Sequence, residues 1–203
     1  MKKVVLLVSV FLLLCGCKAF VRENEKLLDG KYDIEIKVKN YGSIYLTLDA
    51  SYAPITVTNF VNLVNEKFYD GLTFHRIIDG FMIQGGNPEG NGTGGSSKTI
   101  KGEFSSNGVN NTLSHTRGVI SMARGSDYNS ASSQFFIVHK DSTFLDGNYA
   151  AFGEVTKGMD VVDKIADAQK DANDKPIKDI VIKSITVDTH GIEFAEPVTK
   201  LSK

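Results

Sequence analysis

The chain has 203 residues, 41% of them hydrophobic, with a formal charge of −1 and no long basic stripe. That length bounds a single domain with tails, large enough to bury a sizeable core. The charge pattern excludes nucleic acid as the main partner, and nineteen glycines with few helical periods point to a β-rich, turn-rich fold.

The N-terminus reads separately from the rest. Lys2 and Lys3 precede an apolar run from Val4 to Leu14, about the length of a signal-peptide core and too short to span a bilayer comfortably. The run ends in Leu14-Cys15-Gly16-Cys17, which resembles a bacterial lipoprotein signal. Gly16 is small and Leu14 is not, so Cys17 is the expected lipidated residue. Residues 1–16 are then a signal peptide and 17–30 the lipidated cysteine and a charged tether. Both cysteines lie in this segment, so the mature domain holds no disulfide and relies on its core. Losing residues 1–16 removes two lysines and no acid, moving the formal charge from −1 to −3. Such a chain is not drawn to anionic lipid, and the acyl chains must anchor it. Lys18 is not the aspartate that commonly signals inner-membrane retention, which leaves an outer-membrane destination open in a two-membrane host.

The domain is expected over 31–190. "YDIEIKV" (32–38) and "IYLTLD" (44–49) alternate with period two around a "YGS" turn, predicting a hairpin. Residues 53–71 change to helical spacing through Ile55, Phe60, Leu63 and Val64, with Pro54 in the first turn and Gly71 at the end. Short strands are expected at 74–78 and 81–84, joined by Asp79-Gly80, followed by loop over 85–118. Apolar strands follow at 119–123, 133–139 and 149–155. An amphipathic helix at 159–168 and a strand at 180–188 complete the domain. The tail 191–203 lacks periodicity. Eight short strands, two helices and no βαβ alternation predict a mainly β fold: a closed eight-stranded antiparallel barrel capped by two helices.

Several motifs look chemical and fail on context. "GNGTGG" (90–95) matches a dinucleotide fingerprint but lies in a loop and opens no helix, so it reads as backbone needing positive φ. His75, His115, His139 and His190 are scattered without metal-ligand spacing, so no metal is expected. Ser114-His115 lacks a G-x-S-x-G elbow around any serine. "NGT" (91–93) and "NNT" (110–112) are sequons that mean little in a bacterial chain.

"FHRIIDGFMIQGG" (74–86) is different. It sets Arg76 and Gln84 in an otherwise apolar run. Period two places Phe81 and Ile83 on one face, and Met82 and Gln84 on the other. Arg76, on the paired strand, can share the wall of Met82 and Gln84. The alternative is an arginine that only pairs with an acid such as Glu103.

With "GTGG", "ISMARG", "SSQFFI", "FLDGNYAAFGEV" and "GMDVVDKI" in order, this stretch resembles the cyclophilin family of peptidyl-prolyl cis–trans isomerases, from about residue 32 to 188. The resemblance implies Arg76 as the catalytic residue and Gln84 as its orienting partner. It implies a proline pocket of Phe81, Met82, Phe136 and Leu145. Phe144 stands where many eukaryotic members have tryptophan, and Tyr149 where they have histidine. Gly92, Ala123, Arg124, Gly125 and Gln134 would contact the flanking peptide. Arg124 departs from the asparagine common there, which bears on the preference for the residue before proline. Phe144 lacks the indole N–H that cyclosporin uses in sensitive members. No cofactor is implied. The expected partners are proline-containing polypeptides and, through the lipid, a membrane. The expected state is a monomer in a bacterial envelope, facing periplasm or exterior. The second reading is a non-catalytic proline-peptide binding module or chaperone.

Overall fold

The computed structural model describes residues 27–188. The expected signal peptide, Cys17, most of the tether, His190 and the 191–203 tail lie outside the described residues.

The chain forms β1 (Lys31–Val38), β2 (Gly42–Asp49), α1 (Pro54–Asn65), β3 (Arg76–Ile78) and β4 (Met82–Gly85). It continues with β5 (Val119–Met122), β6 (Phe135–Val138), β7 (Ala151–Lys157), α2 (Met159–Ala166) and β8 (Ile182–Asp188). All strand pairs are antiparallel, in the order β3-β4-β6-β5-β7-β2-β1-β8.

The sheet is a half-barrel, not the closed barrel expected. The ladder has two ends, β3 and β8, which share no strand pairing. Near them the chain before β3 meets the start of β8 only through the Thr73–Val181 bridge and a few backbone bonds, such as Phe74 N to Ile180 O at 3.0 Å. β3 is three residues long, so it runs out before it could zip onto β8.

Alternation explains the β1–β2 hairpin. Tyr32, Ile34, Ile36 and Val38 point inward with Ile44, Leu46 and Leu48, and all are buried. Asn40 at φ 67° and Gly42 at φ 124° turn the chain between the two strands. α1 covers the inner face with Val57, Phe60, Val61, Leu63 and Val64. Each such side chain contributes about 1.5–3 kcal/mol on burial. Phe60 centres the core, its ring 5.0 Å from Tyr69, 5.5 Å from Phe135 and 5.4 Å from Phe152.

α1 is shorter than its period suggested. Lys67 at φ 55° and Gly71 at φ 85° leave helical space, and 66–71 becomes successive turns. α1 also starts without a cap of its own, since the side chain of Ala53 makes no capping bond. Glu103, buried from a distant loop, does that work. Its carboxylate accepts from Ile55 N at 3.0 Å, and from Thr56 N and Thr56 Oγ1 at 2.7 Å each. The alternative pairing of Glu103 with Arg76 is therefore not made.

β5 and β6 are buried at every position. Their unbroken apolar runs, "VISM" and "FFIV", have cover on both faces. A second apolar cluster of Met82, Val119, Phe136, Val138, Leu145 and Ala151 lies apart from the main core. That outer cluster is where the site forms.

Candidate active site

The ladder builds the site before any side chain is considered. Arg76 pairs across with Gln84, Gln84 with Phe136, and Phe136 with Ser121. Four residues distant in sequence therefore form one lateral row, with neighbours about 4.8 Å apart in the hydrogen-bonding direction. A cation, a carboxamide and an aromatic ring lie side by side. Met82 is two positions along β4 from Gln84, on the same face.

Arg76, Phe81, Met82, Gln84, Ala123, Arg124, Phe136, Leu145 and Tyr149 enclose a cavity of about 220 Å³. Beside it lies a more polar cavity of about 390 Å³, whose walls include Gly92, Gly125 and Gln134. The two share Gln84, Ala123 and Arg124. Every peptide-site residue expected from the sequence lines one or both, except Phe144. Phe144 sits on the short turn Thr143–Leu145, 72% exposed, with its ring 5.6 Å from Phe81. Cys17 lies outside the described residues.

Phe81 corrects one expectation. Strand alternation placed it on the face of Ile83, away from Met82. It lies in the turn before β4, where alternation does not apply, and it packs with the outer cluster beside Met82.

The polar groups are held in place. Gln84 Nε2 donates to Gln134 Oε1 at 2.9 Å, and Gln134 Nε2 donates to Gly94 O at 2.8 Å and Gly92 O at 3.1 Å. Asn87 accepts from the backbone N–H groups of Asn91 and Gly92 and folds the 90–95 loop back. Gly90, Gly92 and Gly94 there have φ of 59°, 84° and 77°, which is why that stretch is glycine-rich. Arg76 is partly exposed, with Asp174 Oδ2 3.9 Å from its Nε. A contact that long between exposed groups fixes little, so the guanidinium can turn toward a bound peptide.

Sequence reasoning missed the support behind the apolar wall. The His115 ring stacks on Phe136 with centroids 6.0 Å apart and planes 17° apart. Its Nδ1 lies 2.8 Å from Asp146 Oδ1 and its Nε2 lies 3.0 Å from Ser121 Oγ. A carboxylate only accepts, so Nδ1 carries the proton and Nε2 accepts from the serine hydroxyl. The order Ser–His–Asp mimics a hydrolase triad, yet Ser121 is fully buried and cannot reach a substrate. Burial lowers the pKa of His115, with Asp146 opposing it. His75, beside Arg76, is also lowered, first by burial.

Comparison with known proteins shows the family and the fold. Residues 33–187 match the model of the cyclophilin type peptidyl-prolyl cis-trans isomerase/CLD family. The chain is 44% identical over 159 residues to peptidyl-prolyl cis-trans isomerase A of Dickeya dadantii, covering 72% of this chain and 80% of that protein. It is 42% identical over 169 residues to a peptidyl-prolyl cis-trans isomerase of Acinetobacter baylyi, covering 77% of this chain and 87% of that protein. The fold matches a Cryptosporidium parvum cyclophilin type isomerase crystallised in the presence of the dipeptide Ala-Pro, with TM-score 0.71 and 33% identity. That match covers 77% of this chain and 99% of the other. The chain belongs to the cyclophilin-type peptidyl-prolyl cis–trans isomerase family.

Proposed function

We propose that the protein accelerates rotation about X–Pro bonds in exported polypeptides, as a monomer held by lipid on Cys17 at the outer face of a bacterial membrane. The observation that carries the catalytic part is the row Arg76–Gln84–Phe136, which sets a cation beside an apolar cavity of about 220 Å³. The Ala-Pro dipeptide present with the similar Cryptosporidium protein supports a proline ligand.

An X–Pro bond resists rotation by roughly 18–20 kcal/mol because amide resonance opposes twisting. Unaided, the step takes about 10–100 s. Rotation needs no nucleophile and no proton transfer, only loss of C–N double-bond character. In the twisted state the proline nitrogen regains its lone pair. Arg76 donates to that nitrogen there, and much less in the planar ground state, which is differential binding of the transition state. Arginine suits the task because it keeps its charge and holds its donors in a rigid fork. Phe136, Met82, Leu145 and Phe81 grip the ring while the preceding carbonyl swings. Gln84, pinned through Nε2 to Gln134, has Oε1 available to hold the guanidinium once peptide docks. A gain of ~10⁵ needs about 7 kcal/mol, within reach of one charged donor plus positioning.

The membrane part rests on the sequence: Lys2, Lys3, the apolar run 4–14, and Gly16 before Cys17. Turnover of a proline peptide by the wild type and Arg76→Ala tests the catalytic part. Arg76→Ala should lose about 10²–10³ in kcat/KM while keeping peptide affinity. A wild type that binds without turnover would make the protein a proline-peptide binding module instead.

A further inference from the structure

Arg124 stands on the wall between the two cavities and lines both. Its guanidinium is held from several sides. Nε donates to Asn148 O at 2.9 Å and Nη1 to Gly125 O at 2.9 Å. The rings of Tyr149, Tyr128 and Phe104 lie 4.8, 4.9 and 5.2 Å from its carbon. Carbonyls and ring faces fix its orientation but do not neutralise it. Among the described residues no carboxylate comes within ion-pair distance, and Nη2 has no hydrogen-bond partner. Among the described residues, the walls of the two cavities hold two charged side chains, Arg76 and Arg124, and no acid. A rigid, partly buried cation without a counter-ion is a preformed anion receptor.

The direction of the peptide follows from the proposed chemistry, on which this inference rests. Arg76 must meet the imide nitrogen, and Gln84 lies directly across from Arg76. Gln84 also opens onto the polar cavity. The nitrogen carries the preceding carbonyl, so the residues before proline leave over Gln84 into the polar cavity, past Arg124. We propose that Arg124 is a specificity-determining residue, selecting substrates with an acidic side chain within the two positions before proline.

The test is a set of tetrapeptides carrying Glu, Gln or Lys at the first or second position before proline. Turnover is read by exchange NMR and affinity by titration. Discounted for solvent, the contact gives the wild type about a five- to tenfold preference for Glu over Gln at one of the two positions. Raised salt reduces the preference, since the cation is only partly buried. Arg124→Gln brings the Glu/Gln ratio close to one. Arg124→Glu inverts the charge preference and favours Lys over Gln, which loss of packing alone does not produce. A wild-type ratio near one at both positions, or a ratio unmoved in Arg124→Gln, overturns the inference. If a variant fails to fold, the wild-type ratio at low and high salt decides. Absent turnover with the affinity ratio intact would sink the isomerase reading alone; turnover without the ratio sinks this one alone.

Discussion

Replacing His115 with alanine tests whether the buried row behind the pocket supports the site. His115 is 1% exposed. The substitution leaves the Ser121 hydroxyl buried without its acceptor, at about 1–3 kcal/mol. Loss of the ring stacked on Phe136 adds about 0.5–1.5 kcal/mol. Asp146 is 38% exposed and keeps Ser114 Oγ and His115 N as donors, so water replaces its lost bond at little cost. The expected loss is about 2–4 kcal/mol, or roughly 5–15 °C in Tm for a chain this size. With Phe136 no longer backed, KM for proline peptides should rise more than kcat falls. The pH dependence provides the sharper check. Burial holds the folded-state pKa of His115 below its ordinary value. The unfolded chain therefore binds more protons below about pH 6.5, and the stability contributed by neutral His115 is full above that value and falls away as pH drops. His75, lowered likewise, adds to the wild-type slope but is common to both proteins. The difference between wild type and His115→Ala should therefore shrink with acidification, as measured by urea unfolding across about pH 8 to 5. A difference that is constant across that range, or below about 1 kcal/mol at neutral pH, would refute the reasoning.

Three further outcomes are expected. Glu103→Ala removes the acceptor of two α1 backbone N–H groups and one hydroxyl. It should cost about 3–5 kcal/mol in urea unfolding, and a loss under about 1 kcal/mol would show that water caps the helix as well. Gly86 has φ 84°, and a Cβ there would collide with the carbonyl oxygen of Ser133. Gly86→Ala should therefore lose about 2–4 kcal/mol by thermal melting and loosen peptide binding. Cys17→Ser should abolish incorporation of labelled palmitate and release the protein from membranes, with kcat/KM of the released domain unchanged; palmitate retained in the variant would end the anchor proposal.

How much of this could be read along the chain depends on how far apart the cooperating residues lie. Period two in 32–38 and 44–49 decided the β1–β2 hairpin, because one face of each strand is core and its partner is only a turn away. The Arg76–Gln84 pair was legible for the same reason: it belongs to one hairpin. Phe81 escapes the alternation because it precedes β4 by one residue. The helical period over 53–71 outruns α1 because Lys67 adopts a left-handed conformation, which a lysine gives little cause to expect. Eight strands predict a closed barrel, but a count of strands says nothing about whether the first and last meet along their length.

The rest of the site depends on strand order. β4 pairs with β6, and β5 lies beyond β6. Only that exchange brings Phe136 beside Gln84 and Ser121 beside Phe136, and no local pattern encodes it. Glu103 with Thr56, 47 residues away, and Asp146 with His115, 31 away, are likewise contacts made by topology. Glu103 looked like a possible partner for Arg76 because both are charged and both must go somewhere. The fold separates them by giving each a different buried neighbour: a helix end with unpaired N–H groups for the carboxylate, an apolar cavity for the cation. That division follows from electrostatics. Burial raises the pKa of Glu103, and the helix N–H groups and Thr56 hydroxyl oppose it, so its partners come from the helix rather than from Arg76. Arg76 meets its acid, Asp174, only at 3.9 Å and partly exposed, so most of its field stays available to whatever enters the cavity beside it. The proposed catalysis by Arg76 and the proposed anion selection by Arg124 both depend on acids being kept off the described walls of the two cavities.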